Sequence, residues 1–223
     1  MTNILCIGDI HAPYHHRNTL RFLVWAATHW DCEKVVCLGD ELDQYTVSRY
    51  DHDPDAMGGG DEYKAAMKFW KEVYREFPTA HSVTSNHVTR VAKKAVGAGI
   101  PSAYLKTVSE FMQAPPGWQW SDHYDYAGIR FEHGERGSGA TGLRNLVLAN
   151  GLNTVIGHNH EHAGVTYVSN GDRTLWGLNS GCLVDIKSTG MAYGRLYRNK
   201  PVVGCGVIVE GVPHFQPMLK KWA

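Results

Sequence analysis

Five short strand candidates in this chain of 223 residues each lead, within one to three residues, into a small polar cluster. Asn3 to Ile7 leads to Asp9-Ile10-His11, and Lys34 to Leu38 leads to Gly39-Asp40-Glu41-Leu42-Asp43. His81 to Thr84 is followed by Ser85-Asn86-His87, Ile129 to Glu132 by His133-Gly134, and Thr154 to Ile156 by Gly157-His158-Asn159-His160. Runs of this length read as strands. In open α/β sheets ligands bind at the carboxyl ends of the strands. The pattern therefore calls for a sheet fold in which five strand ends, far apart in sequence, aim polar residues at one place.

The segments between the runs support that reading. Asn18 to His29 carries Leu20, Leu23, Val24 and Ala27 at helical spacing, which makes the first two strands a βαβ unit with a right-handed crossover. Asp51 to Asp61 is acidic and Gly-rich, hence a loop, and Glu62 to Phe77 is a helix with Met67, Trp70 and Tyr74 on one face. Val88 to Gly97 and Pro101 to Met112 read as helices, the second with proline in its first turn, and Thr141 to Asn150 as another. In the last third, Asn170-Gly171-Asp172 and Glu210-Gly211 each separate two strand-like runs, the mark of hairpins. A parallel half followed by an antiparallel half is expected, in one domain over residues 1–223, with a small cap over 88–127 that could close on the site.

Lysine plus arginine and aspartate plus glutamate both number 22, so bulk charge draws the chain to neither nucleic acid nor membrane. No apolar run approaches the length of a bilayer span, and the N-terminus lacks a cationic lead before its short apolar run. Five cysteines without a CxxC pair suit a reducing compartment. A soluble cytoplasmic protein is expected. Histidine is the compositional outlier, with thirteen residues, several of them clustered.

Taken singly, each cluster has an ordinary explanation. Asp9 and Asp40 could cap a turn or helix, Asn86 could be a turn residue, and His133 a hydrogen-bonded, partly buried histidine. Together they offer carboxylate, imidazole and amide oxygen, a mixed donor set that suits Mn, Fe or Zn. The absence of a thiolate argues against a structural zinc site. A carboxylate such as Asp40 can bridge two ions roughly 3.5–4 Å apart, and a water shared between them becomes a nucleophile near neutral pH.

In order and spacing, the series D-x-H, GD-x-x-D, NH, H-G and GH-x-H resembles the calcineurin-like metallophosphoesterases, over about two thirds of the chain from Asp9 to His160. The stretch from Gly39 to Asp51 is also similar to the small phage-encoded members, which would place the protein in a host cytoplasm. The resemblance implies a four-layer α/β/β/α sandwich of two mixed sheets. It implies that Asp9, His11, Asp40 and His160 hold one divalent metal, and that Asp40, Asn86, His133 and His158 hold the other. Manganese comes first among the candidate ions, with Fe, Zn or Ni as substitutes. His87 would face the substrate as general acid, with Asp43 orienting it and keeping it protonated. The implied reaction is hydrolysis of a phosphoester, in the first place a phosphodiester of a nucleotide or nucleic acid end. A phosphomonoesterase of the same mechanism and a metal-binding scaffold without catalysis are the alternatives.

Three positions depart from the family pattern. Ser85 stands where a glycine is usual, Val88 where an acid is usual, and Gln44 where the protein phosphatases carry arginine. Arg90 or Arg49 could replace that arginine, or either could be a solvated surface residue. His15, His16 and His162 could contact substrate or sit in exposed loops. The aromatic group Trp118, Trp120, Tyr124 and Tyr126 could stack on a base or simply pack.

Overall fold

The computed structural model describes residues 2–48, 53–169, 171–188, 199–219 and 222. Arg49 and Asn170 lie outside these residues. Among the described residues the chain forms two mixed sheets. In the first, β1 (Ile4–Ile7), β2 (Lys34–Cys37), β3 (Ala80–Val83) and β4 (Trp118–Ser121) run parallel to their neighbours. β10 (Gly204–Val209) and β11 (Val212–Pro217) complete it antiparallel, giving the order β11-β10-β1-β2-β3-β4. The second sheet has the order β5-β6-β7-β9-β8. There β6 (Ile129–Glu132), β7 (Asn153–Ile156) and β9 (Thr174–Asn179) are parallel, with β5 (His123–Tyr126) and β8 (Gly164–Ser169) antiparallel at the edges.

The four-layer arrangement follows from strand alternation. Successive side chains on β1 point to opposite faces. Leu5 and Ile7 join a core with Phe22, Leu23 and Ala26 of α1 (Thr19–His29) and with Met67, Trp70 and Val73 of α2 (Gly59–Glu76). Ile4 and Cys6 join a second core with Phe131, Val155 and Leu178 of the other sheet. A third core packs Leu143, Leu146 and Val147 of α5 (Gly142–Asn150) on Ile156. The layers are therefore helix, sheet, sheet, helix. No helix of the described residues is long and apolar enough to cross a membrane.

Several elements differ from the sequence expectation. α2 starts at Gly59, inside the segment read as loop. Its first turn carries Asp61 and Glu62, which favour the positive end of the helix dipole without adding any apolar periodicity. The helix expected from Pro101 to Met112 breaks into a 3₁₀ turn at Ser102–Tyr104 and a short α4 (Val108–Phe111). Thr107 and Glu110 form a reciprocal capping box there, which restarts the helix after extended residues. α3 (Arg90–Gly97) buries none of its residues. Within the segment expected as a cap, residues 118–126 are instead edge strands, one in each sheet. The hairpin at Glu210-Gly211 has φ values of 51° and 83°, the positive pair that a two-residue mirror-image turn requires.

Candidate metal centre

Because β1, β2 and β3 are parallel, and β6 and β7 are parallel, their carboxyl ends lie at common sheet edges. Asp9 and His11 follow β1, Asp40 and Asp43 follow β2, and Asn86 and His87 follow β3. His133 follows β6, and His158 and His160 follow β7. Bonds across the two sheets join the edges: His158 N donates to both Asp9 carboxylate oxygens at 2.9 and 3.0 Å, and His133 Nδ1 donates to the Leu38 carbonyl at 2.7 Å.

The donor atoms fall into two groups that share Asp40. Asp9, His11, Asp40 and His160 each place one ligand atom within 4.8 Å of the others, and so do Asp40, His133 and His158. In the first group His160 Nε2 lies 3.0 Å from Asp9 Oδ1 and 3.3 Å from His11 Nε2. In the second, His133 Nε2 lies 3.4 Å from Asp40 Oδ2, 3.1 Å from His158 Nδ1 and 2.9 Å from Asn86 Oδ1. All seven sequence-nominated ligands are thus brought together. A third group joins His11, Asp43 and His87.

The surroundings fit a cationic occupant. His11 Nδ1 donates to Asp43 Oδ1 at 2.7 Å, and His133 Nδ1 is committed to Leu38. Fixing the proton on Nδ1 leaves the Nε2 lone pair of each neutral ring facing inward, as in metal-ligating histidines. Several lone pairs and two carboxylates then converge in a buried space, which is repulsive unless a positive charge sits among them. The titration behaviour points the same way. Burial lowers the His133 pKa, but the Asp40 charge and hydrogen bond outweigh it and lift it to about 10. His11 also ends raised, as the bond to Asp43 and the charges of Asp40, Asp43 and Asp9 overcome burial. Burial would raise Asp40, but His133, His87 and His11 hold it well below the usual carboxylate range.

The backbone is strained here. Asp9, His11, Asp40 and His158 all adopt positive φ, between 50° and 62°. Left-handed non-glycine residues cost of order 1–3 kcal/mol each and concentrate at functional sites. Two glycines make the close approach feasible. A Cβ on Gly157 would stand 2.2 Å from Asp9 Oδ2, and one on Gly39 (φ +88°) 2.6 Å from the Ser85 side chain.

Asp43 is placed differently from the expectation that its carboxylate orients His87. That carboxylate is closest to His11, while its nearer oxygen is 3.8 Å from His87 Nδ1. His87 Nδ1 instead donates to the Asp43 main-chain carbonyl at 2.5 Å. The two imidazoles meet edge to face at 4.5 Å, so one aspartate steadies both, one through its side chain and one through its backbone. Burial takes the His87 pKa down to about 4, with Asp40 and Asp43 opposing and His11 and Arg90 reinforcing the shift. Arg90 Nη1 donates to the carbonyls of Asp43 and Gln44, which ties the base of α3 to the loop after β2.

Sequence reasoning missed the supporting residues. Ser85 is buried, and its Oγ accepts from Asp40 N at 2.9 Å and from Val88 N at 3.3 Å. The serine that departs from the family pattern therefore holds the shared carboxylate's backbone. Buried Asn179, at the end of β9, donates to the Asn159 carbonyl between the two site histidines. Its only sequence signal is its position at a strand end. His15 packs on Phe69 at a 32° tilt with centroids 3.7 Å apart, and His16 Nδ1 accepts from Asn18 N. Trp118 packs on Trp70 and Tyr74, and Trp120 Nε1 donates to Glu41. Tyr124 stacks on His81.

No protein-family model matches the sequence, and no curated protein matches it. Solved structures with a similar course of chain include YfcE, a phosphoesterase from E. coli, at 15% identity and TM-score 0.49, over 95% of this chain and 91% of that one. Vacuolar Protein Sorting 29 from Cryptosporidium parvum is similar at 13% identity and TM-score 0.48, covering 96% and 94%. A single mutant of Vps29 from Entamoeba histolytica is similar at 15% identity and TM-score 0.43, covering 93% and 85%.

Proposed function

We propose that the chain is a metal-dependent phosphoester hydrolase of the calcineurin-like type, acting first on a phosphodiester such as a nucleotide or nucleic acid end. The observation that carries this reading is the pair of ligand groups sharing Asp40, with His87 beside them. Asp9, His11, Asp40 and His160 would hold one divalent ion, manganese by preference, and Asp40, Asn86, His133 and His158 a second. Such ions supply Lewis acidity to phosphoryl oxygens and lower the pKa of water.

The chain's own part is positioning and proton handling. Asp43 and the Leu38 carbonyl fix the rings of His11 and His133, and Ser85 fixes the Asp40 backbone. His87, tethered by Nδ1, has its Nε2 4.0 Å from Asp40 Oδ2, beside the shared ligand. Because Nδ1 already carries one proton, delivery of another from Nε2 to a leaving oxygen requires the imidazolium. A phosphate anion alongside raises the imidazole pKa and supplies that condition. The general acid is then armed by its substrate, since the Asp40 and Asp43 charges raise the His87 pKa without overcoming burial.

One observation favours a second reading. With the Asp43 carboxylate spent on His11, a site without substrate leaves His87 neutral, which a binding scaffold would tolerate equally. Hydrolysis of bis-p-nitrophenyl phosphate and p-nitrophenyl phosphate separates these readings, using metal-stripped protein resupplied with Mn²⁺. Turnover should prefer the diester and fall about 10²-fold or more in His87→Ala with metal binding retained. Preference for the monoester makes the protein a phosphatase. Full activity in the variant removes His87 from the mechanism, and metal uptake without turnover of either ester favours the scaffold.

A further inference from the structure

Among the described residues, His87 Nδ1 has one hydrogen bond, to the Asp43 main-chain carbonyl at 2.5 Å. A carbonyl oxygen can only accept, so this bond fixes the neutral ring as its Nδ1–H tautomer. The Asp43 carboxylate does not share the duty. Its Oδ1 is 3.8 Å from His87 Nδ1 and is turned to His11 at 2.7 Å. Whatever holds the Asp43 carbonyl therefore decides which nitrogen of His87 faces the ligand groups.

Arg90 takes the second lone pair of that oxygen. Its Nη1 donates to the Asp43 carbonyl at 3.1 Å and to the Gln44 carbonyl at 3.3 Å. Two consecutive carbonyls meet one donor nitrogen because Gln44 is left-handed, at φ 53° and ψ 45°. Helical backbone of either hand aims successive carbonyls the same way, whereas extended backbone alternates them. A left-handed residue other than glycine persists only where its surroundings over-determine it, and the guanidinium supplies that restraint. His87 and Arg90 reach the carbonyl from one turn, since Arg90 N donates to the His87 carbonyl at 3.1 Å. Arg90 is half-buried at the start of α3, a helix that buries none of its residues. Packing gives no reason for an arginine there, and the two carbonyls do.

We infer that Arg90 is a positioning residue for His87: by clamping the Asp43 and Gln44 carbonyls it keeps the Nδ1 acceptor in place and Nε2 turned toward Asp40. Nε2 is then 4.0 Å from Asp40 Oδ2. Without the clamp, Gln44 is free to leave the left-handed region and the Asp43 carbonyl turns away. The imidazole loses its Nδ1 acceptor, takes up the Nε2–H form that predominates in unrestrained histidine, and is no longer held beside the shared ligand. That the ring serves catalysis rests on the hydrolase reading. Its tautomer does not.

Long-range proton–nitrogen NMR correlations of the full, metal-free chain read the tautomer directly at about pH 8, above the ordinary imidazole pKa. The His87 signals are those lost in His87→Ala. Wild type should show His87 as Nδ1–H. Arg90→Met should move it toward Nε2–H, and Arg90→Lys, which keeps a cationic donor, should restore Nδ1–H in large part. Lys94→Met removes a bond from α3 to the Ser48 carbonyl but leaves the clamp, so tautomer and turnover should stay as in wild type. With Mn²⁺ resupplied, hydrolysis of bis-p-nitrophenyl phosphate by Arg90→Met should fall about tenfold in kcat, with KM and metal uptake little changed. An Nε2–H ring in wild type, an unchanged tautomer in Arg90→Met, or the same shift in Lys94→Met overturns the proposal. A raised KM with unchanged kcat also overturns it. Arg90→Gln, too short to reach both carbonyls, replaces Arg90→Met if that variant fails to fold. The tautomer shift without wild-type turnover removes the hydrolase alone, and turnover without the shift removes the clamp alone.

Discussion

The strand-end cradle and the α3–α4 segment sit side by side and are built on opposite principles. In the cradle, Asp9, His11, Asp40, Asp43 and His133 are almost fully buried, cross-linked by short hydrogen bonds, and partly strained. In α3 no residue is buried, and Val91 and Val96 are 47% and 55% exposed. One region holds donor atoms within tight limits. The other touches it through Arg90 and lies mostly on the surface. Ligand geometry tolerates little displacement, whereas an exposed surface tolerates a good deal, so changes to the two regions should differ by orders of magnitude.

Removal of the shared ligand is the most severe challenge to the cradle. If the protein is the two-metal hydrolase proposed above, Asp40→Ala should abolish metal uptake at both ligand groups and reduce diester turnover more than 10³-fold, as seen by metal analysis and diester hydrolysis together, because one carboxylate belongs to both groups. Asp43→Asn keeps an acceptor for His11 but removes its charge. Metal affinity should fall about 10–100-fold, measured by competition with a chelator. Retention of wild-type affinity would show that the His11 contact is packing alone. Ser85→Ala leaves the buried amides of Asp40 and Val88 without their acceptor, and should cost about 1–3 kcal/mol in denaturant unfolding.

Away from the cradle the effects should be small. Asp125 is held below its usual pKa by its hydrogen bond to Arg130, at 2.7 Å, on the exposed β5–β6 edge. A carboxylate with a depressed folded pKa contributes stability above its unfolded value of 3.8 and loses it as pH falls through the folded value. Asp125→Asn should therefore cost about 0.2–1 kcal/mol at pH 7, with the difference gone in strong acid. Val96→Lys on α3 should change stability by no more than about 0.5 kcal/mol. A large loss there would mean that α3 is docked more firmly than its exposure indicates.

Most of the architecture was legible because strand and helix periodicities are local. β6 matches its expected range, and β1, β2, β3 and β7 match theirs to within a residue or so, because each is a short strand-like stretch that ends in a polar turn cluster. β4 and β5 were missed because their tryptophans, tyrosines and polar residues give no apolar run. Their pairing partners, β3 and β6, decide their conformation. The expected long helix at Pro101 failed because the Thr107–Glu110 cap competes locally with its continuation.

By itself the sequence determined which residues gather at the candidate site, since residue type and position after a strand are both written in it. Asp9, His11, Asp40, Asn86, His133, His158 and His160 could be named without coordinates. Only the tertiary structure decided how they are held. That Asp43 turns its carboxylate to His11 and its carbonyl to His87 depends on a few ångströms of loop placement. That Ser85 secures Asp40 depends on β2 and β3 lying side by side. That Arg90 and His87 share the Asp43 carbonyl depends on the start of α3 meeting the loop after β2. Short-range periodicity fixes which residues end a strand, but hydrogen-bond partners are properties of contacts between segments distant in sequence.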